Sequence, residues 1–219
     1  MFHEIGRRPP KFQRPILDPH RHLCSMDLDR KFWSERYASN DTGWDVGGPS
    51  TPLREYIDGL NDKQLRILIP GAGRAYEAED LHRRGFANVH VIDLAEEPFN
   101  ALLDRCPEFP KDHLIIGDLF DHEGAYDLIL EQTFFCALDP SLRTRYVEKM
   151  HSLLSPGGIL AGVLFDDPLN ADRPPFGGSK EEYLKLFSER FNDLKITPCY
   201  NSIKPRAGRE VWLKAKKNG

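Results

Sequence analysis

Gly71 and Gly73 lie in the stretch LRILIPGAGRAYE over residues 65–77, and Asp93 follows at the end of the next apolar run. These are the residues whose type and spacing carry the clearest chemistry. Two glycines directly after a short apolar run let the backbone turn tightly and approach a ligand without a Cβ in the way. An acid about 20 residues on, at the tip of a second strand, accepts both hydroxyls of a ribose. The pattern binds an adenosine-like group.

What is missing narrows the ligand. A dinucleotide fingerprint needs a third glycine three residues after the second, where the helix N-terminus meets a pyrophosphate; that position is Tyr76. A phosphate loop needs Gly-Lys-Ser/Thr, which does not follow. A ligand with a ribose and no phosphate fits, and S-adenosylmethionine is the expected cofactor. A nicotinamide-dependent oxidoreductase shares the strand-helix-strand unit, but Tyr76 argues against it. A non-catalytic adenosine-cofactor-binding protein shares every feature and differs only in turnover.

The elements that must position these residues are read from hydrophobic periodicity. Leu28, Phe32, Trp33 and Tyr37 recur at helical spacing, residues 40–52 form a Gly- and Pro-rich loop, and 53–60 is a second short helix. Strands over 65–69, 88–93, 113–116, 126–131 and 159–165 alternate with helices over 75–84, 96–105 and 141–154, and residues 155–158 (Ser-Pro-Gly-Gly) form a turn. Such alternation predicts an α/β fold, a mostly parallel sheet with helices on both faces. Ligands in such sheets sit at the carboxyl ends of the strands.

That rule collects Asp118 and Leu119, Glu131 to Phe134, and the Asp166-Asp167 pair as further candidates. Each has a structural alternative. Asp118 suits a helical-turn cap, Glu131 a solvated strand end, Phe134 the core, and Asp166-Asp167 a turn before Pro168.

Composition sets bounds. With 219 residues the chain suits one domain. The 34 acidic against 30 basic residues, net charge −4, leave no basic footprint for nucleic acid, so a small acceptor is expected. Cys24, Cys106, Cys136 and Cys199 lack CxxC spacing and read as reduced thiols of a cytoplasmic protein. No apolar run approaches the roughly 20 residues of a membrane span, and no metal set stands out. Residues 1–26, with four prolines and little periodicity, read as a disordered or extended arm ahead of a domain over 27–219.

The string YDLILEQTFFCALDPSLRTRYVEKMHSLLSPGGIL, preceded by GDLF and followed by FD and PPFGG, resembles the thiopurine S-methyltransferase-like branch of class I S-adenosylmethionine-dependent methyltransferases. That branch includes thiol and halide methyltransferases. FWSERY with TGWDVGGPS resembles the same family's N-terminal cap, here residues 27–62. The likeness runs from about Lys31 to Lys214 and implies a single Rossmann-like domain with a seven-stranded sheet.

The resemblance implies roles by position. Trp33 and Trp44 line and close the cofactor site; Gly71 and Gly73 underlie the methionine part; Asp93 holds the ribose; Asp118 and Leu119 meet the adenine. Glu131 and Gln132 stand beside the reactive methyl as the implied catalytic pair. Phe134, Pro175, Phe176, Arg206 and Arg209 fall on the acceptor side. Gln132 stands where the thiopurine enzyme has an arginine, so recognition of an acidic aromatic thiol is not implied. Ala72 replaces a frequent cysteine, and Ala75 replaces a third glycine of many methyltransferases. The implied reaction is methyl transfer to a thiol, sulfide or halide by direct displacement, in a monomer or weak homodimer. An amine acceptor would instead require Glu131 or Asp166 to take a proton or hold the nitrogen.

Overall fold

The computed structural model describes residues 28–219; the arm expected over 1–26 lies outside the described residues. Seven strands form one sheet: β1 (Ile67–Pro70), β2 (Val89–Asp93), β3 (Leu114–Ile116), β4 (Tyr126–Gln132), β5 (Leu154–Phe165), β6 (Asp193–Pro198) and β7 (Glu210–Lys216). Their order is β3-β2-β1-β4-β5-β7-β6. The first five pair in parallel, while β7 runs antiparallel to both β5 and β6. The strand order reverses between β1 and β4, and an open α/β sheet has its binding crevice at such a switch point.

The apolar period expected of the helices puts one face of each against the sheet. On one side, α2 (Thr51–Asp58), α3 (Tyr76–Arg83) and α4 (Glu97–Arg105) bury Leu53, Ile57, Ala78, Leu81, Phe99 and Leu102. On the other, α5 (Arg143–Leu153) and α6 (Lys180–Ser188) bury Tyr146, Val147, Met150, Tyr183 and Phe187. The N-terminal α1 (Arg30–Ala38) starts at a true cap, with Asp29 accepting from Phe32 N at 2.9 Å. Among the described residues no helix is long and apolar enough to cross a membrane.

Most boundaries shift from the sequence reading by one or two residues, and two differences have a clear physical cause. Ala75 is not helical but left-handed, φ 55°, and its N–H closes a tight turn on Ala72 O at 2.6 Å; α3 begins at Tyr76. The Ser-Pro-Gly-Gly segment does not precede a strand. It lies inside β5, where the register against β4 jumps from Tyr126↔Leu154 to Leu128↔Ile159 and Gly157 takes φ 78°. Proline and glycine there make a bulge within one strand.

Candidate active site

The βαβ unit builds the floor. Gly71 and Gly73 adopt φ 69° and 56°, a region that costs other residues strain. A Cβ on Gly71 would overlap the Phe134 ring, and one on Gly73 would stand 3.7 Å from Trp44 Cδ1. Both glycines therefore underlie aromatic rings brought by distant segments.

Asp93 closes β2 against this turn. Its Oδ2 accepts from Ala72 N at 2.8 Å and its Oδ1 from Ala95 N at 2.9 Å. Burial pushes its pKa up to about 6, against the lowering effect of those backbone donors. Each oxygen keeps a lone pair, so the carboxylate both fixes the glycine turn and has capacity for two ligand hydroxyls.

Above the floor lies a cavity of about 640 Å³. The tips of β1 and β2, with the loop after β3, contribute Gly71, Gly73, Asp93, Asp118 and Leu119; α1 and loop 39–50 contribute Trp33, Arg36, Tyr37 and Trp44. Gln132, Phe134, Cys136, Leu138 and Leu142 come from β4 and its sequel, Phe165 from the end of β5, and Leu169, Pro174, Pro175, Arg206 and Arg209 from the segments after β5 and before β7. Turns and cation–π contacts draw the outer wall together. Asp118 caps its own turn through Phe120 N at 2.8 Å, and Arg145 lies 4.4 Å from the Phe120 ring centroid. Asp118 therefore caps its turn and lines the cavity at once.

The N-terminal segment is fastened to the sheet at several points. Trp44 meets Trp33 and Tyr37 edge to face, with centroids at 5.7 and 5.5 Å, and Arg36 stands 5.1 Å from its ring. Asp45 pairs with Arg74 at 3.3 Å. Ser50 Oγ donates to Gln132 Oε1 at 2.8 Å, and Ser50 N donates to the buried Glu77 at 3.0 Å. Desolvation raises the Glu77 pKa.

Four sequence candidates do not line the cavity: Asp166 and Asp167, which bind Lys180 N and Arg209 outside it, and Glu131 and Phe176. Glu131 is fully buried at 0 % exposure: Oε1 accepts from Phe134 N at 2.9 Å and Phe135 N at 3.0 Å, and Oε2 accepts from Tyr146. Gly162 makes the room, since a Cβ there would come within 2.5 Å of Glu131 Cβ. Glu131 thus ties down the turn after β4 instead of contacting a ligand, which corrects its assignment as a catalytic and cofactor-binding group. Its pKa rises to about 7 through desolvation. Phe176 is likewise buried off the wall, with its N donating to Cys136 O at 2.7 Å; it anchors the loop that presents Pro175.

The cations differ in commitment. Arg209 is exposed and ion-paired with Asp167. Arg206 is buried beneath Trp44, with its Nη2 donating to Trp44 O at 3.1 Å. Sequence reasoning missed Tyr37, Ser50, Glu77 and Cys136. Burial pushes the Cys136 thiol up to about 12 and the Tyr37 hydroxyl far above its usual value, so both remain protonated. Ser50 ahead of Thr51-Pro52 has the type and place of an N-cap, but its hydroxyl goes to Gln132 and makes no cap bond, so its role, like the others', needed the fold.

A family model described as thiopurine S-methyltransferase matches residues 28–212. The chain belongs to this family. It is 29% identical over 194 residues to a probable thiol methyltransferase 2 of Arabidopsis thaliana, covering 85% of this chain and 84% of that protein. Thiocyanate methyltransferase 1 of the same plant is 25% identical over 191 residues, covering 84% of each. The fold matches the solved 1,6-didemethyltoxoflavin-N1-methyltransferase of Burkholderia thailandensis, bound to S-adenosylhomocysteine, with TM-score 0.65, 19% identity and coverage of 94% and 93%. The family member described here is an S-adenosylmethionine-dependent methyltransferase that acts on a small nucleophile.

The residues present fit that cofactor. The glycine cradle, the paired lone pairs of Asp93 and the aromatic cover suit a ribose-bearing ligand with no phosphate, and the same cavity is lined elsewhere by Phe165, Leu169, Pro174, Pro175 and Arg206.

Proposed function

We propose that the acceptor is an anionic sulfur or halide nucleophile: a thiolate, sulfide, thiocyanate or heavy halide. The carrying observation is the state of the acids. An amine acceptor needs a base, yet Glu131 is sealed in the core, and Asp166 lies off the wall with its Oδ1 accepting from Lys180 N at 2.9 Å. On the wall, Asp118 and Asp139 cap their own turns at 2.8 Å each, and Asp93 belongs to the cofactor half. The acceptor chamber instead offers Phe165, Leu169, Pro174 and Pro175 beside Arg206. An apolar wall with a buried guanidinium suits a weakly hydrated anion.

S-adenosylmethionine, when bound, supplies an already activated sulfonium methyl. The protein's task is alignment and exclusion of water, which can lower a barrier by up to roughly 7–11 kcal/mol in the best intramolecular cases. Asp93 holds the ribose, Trp33 and Trp44 cover the site from α1 and loop 39–50, and Asp118 with Leu119 frames the adenine. Gln132, oriented by Ser50, stands at the tip of β4 between the two halves. Phe134 and Pro175 bound the acceptor side, and Arg206 sets its charge. The free thiols Cys106, Cys136 and Cys199 suit a reducing cytoplasm.

The oxidoreductase alternative loses ground on geometry. The chain's Tyr-x-x-x-Lys spacing, Tyr200 to Lys204, leaves Tyr200 82% exposed against Glu55, off the cavity wall. A screen with labelled methyl donor tests the proposal, using hydrogen sulfide, aromatic thiols, iodide and thiocyanate against amines and alcohols. Transfer to the anionic group supports it; transfer confined to amines or alcohols refutes it, and no transfer to any acceptor leaves a cofactor-binding protein.

A further inference from the structure

Arg206 touches two parts of the molecule, the acceptor side of the cavity and the loop that carries Trp44. On one side it lines the acceptor chamber, with its guanidinium carbon 5.5 Å from the Phe165 ring centroid. On the other, Nη2 donates to the backbone carbonyl of Trp44 at 3.1 Å, and Trp44 is the ring that covers Gly73. Its Nη1 is buried with no hydrogen-bond partner and stands 3.6 Å from Glu210 Oε1, with the side chain only 10% exposed. The guanidinium is thus ion-paired with the buried Glu210, but the pair is too long for a hydrogen bond, which leaves Nη1 a donor direction to spare.

The remaining ties of loop 39–50 lead elsewhere. Asp45 goes to Arg74, and Ser50 goes to Glu77 and Gln132. Arg206 is the tie that comes from the connection between β6 and β7, on the acceptor side.

We propose that Arg206 couples the two halves of the site: an anion held beside it favours the orientation that binds the Trp44 carbonyl, and so tightens the loop over the cofactor. This rests on the reading of the acceptor as an anion. The guanidinium is a rigid planar fork, so fixing one edge fixes the other. A lysine carries the same charge but cannot hold both edges. Linkage makes the effect reciprocal: the bound cofactor raises anion affinity by the same factor.

The test is calorimetric titration of S-adenosylhomocysteine into the full chain, with and without saturating thiocyanate, at ionic strength held constant with fluoride. In the wild type, thiocyanate should tighten S-adenosylhomocysteine by about fivefold or more, the lower end of typical coupling. In Arg206→Lys the thiocyanate effect should fall below twofold. A purely structural role would weaken S-adenosylhomocysteine equally with and without thiocyanate, leaving the ratio intact, and that result overturns the proposal. So does a wild type whose cofactor affinity is unchanged by an anion that it methylates, thiocyanate or, where thiocyanate is not accepted, iodide titrated in its place, whether or not the variant folds. If thiocyanate neither binds nor is methylated, and no other anion in the screen is, the anionic-acceptor reading itself fails and the coupling falls with it.

Discussion

Tyr146 donates its hydroxyl to Glu131 Oε2 across 2.7 Å, inside the layer between α5 and β4. Oε1 takes the two backbone donors of the following turn, so both oxygens are occupied. Burial lifts this carboxyl from an ordinary 4.5 to about 7. Between those values the native state binds more protons than the unfolded chain, so this group's contribution to stability is largest at low pH and falls as pH rises through the window.

Glu131→Gln removes that titration while keeping an acceptor for the turn. Its stability relative to wild type should therefore improve between about pH 5 and 7.5. Urea denaturation at the two pH values checks this, and an unchanged difference contradicts it.

Asp93 titrates in its own window. Ligand hydroxyls donate to the carboxylate form, so S-adenosylhomocysteine affinity should weaken as pH falls through about 6, where the buried group becomes protonated. Asp93→Ala should lose more than tenfold in affinity, since hydrogen bonds to a charged group are worth about 1.5–3 kcal/mol. Normal binding by the variant would reject the ribose assignment.

Trp44 is partly exposed and packs by ring edges against Trp33 and Tyr37. Trp44→Ala should leave the domain folded, since such aromatic pairs contribute about 0.5–1.5 kcal/mol each. Cofactor binding and methyl transfer should both drop, and the wild-type tryptophan fluorescence should respond to cofactor. Unfolding of the variant, with normal turnover by the native remainder, would make the residue a structural anchor and not a cover.

Ligand preference gives a simple check. S-adenosylmethionine and S-adenosylhomocysteine should raise the unfolding free energy by about 2.7 kcal/mol at 100 times their dissociation constants. NAD should leave it unchanged. The absence of a thermal shift with saturating S-adenosylhomocysteine would remove the cofactor assignment for this site.

The sequence made the cofactor half legible because its signals are local. Gly71, Gly73 and Asp93 announce a strand, a turn and a strand tip within one short stretch. Glu131 was misread because an acid at a strand end normally faces water; its partners, Tyr146 and two N–H groups, meet it only once α5 folds over β4. Pro156 and the two glycines after it signalled a break, but neighbouring β4 absorbed them as a register jump. Arg206 could be placed near the acceptor only through the family resemblance, because its chamber is assembled from segments far apart in the chain. The contact with Trp44 spans 162 positions and leaves no mark in either local sequence.

The central claim, alignment of an anionic acceptor without a protein base, is tested most directly by the pH dependence of methyl transfer to two acceptors. Thiocyanate has no proton to lose, so its rate should stay flat between about pH 8 and 9.5, above the Asp93 and Glu131 windows, while a thiol should follow its own thiolate fraction. An added enzyme pKa shared by both acceptors in that range, or transfer only to amines, would contradict the account.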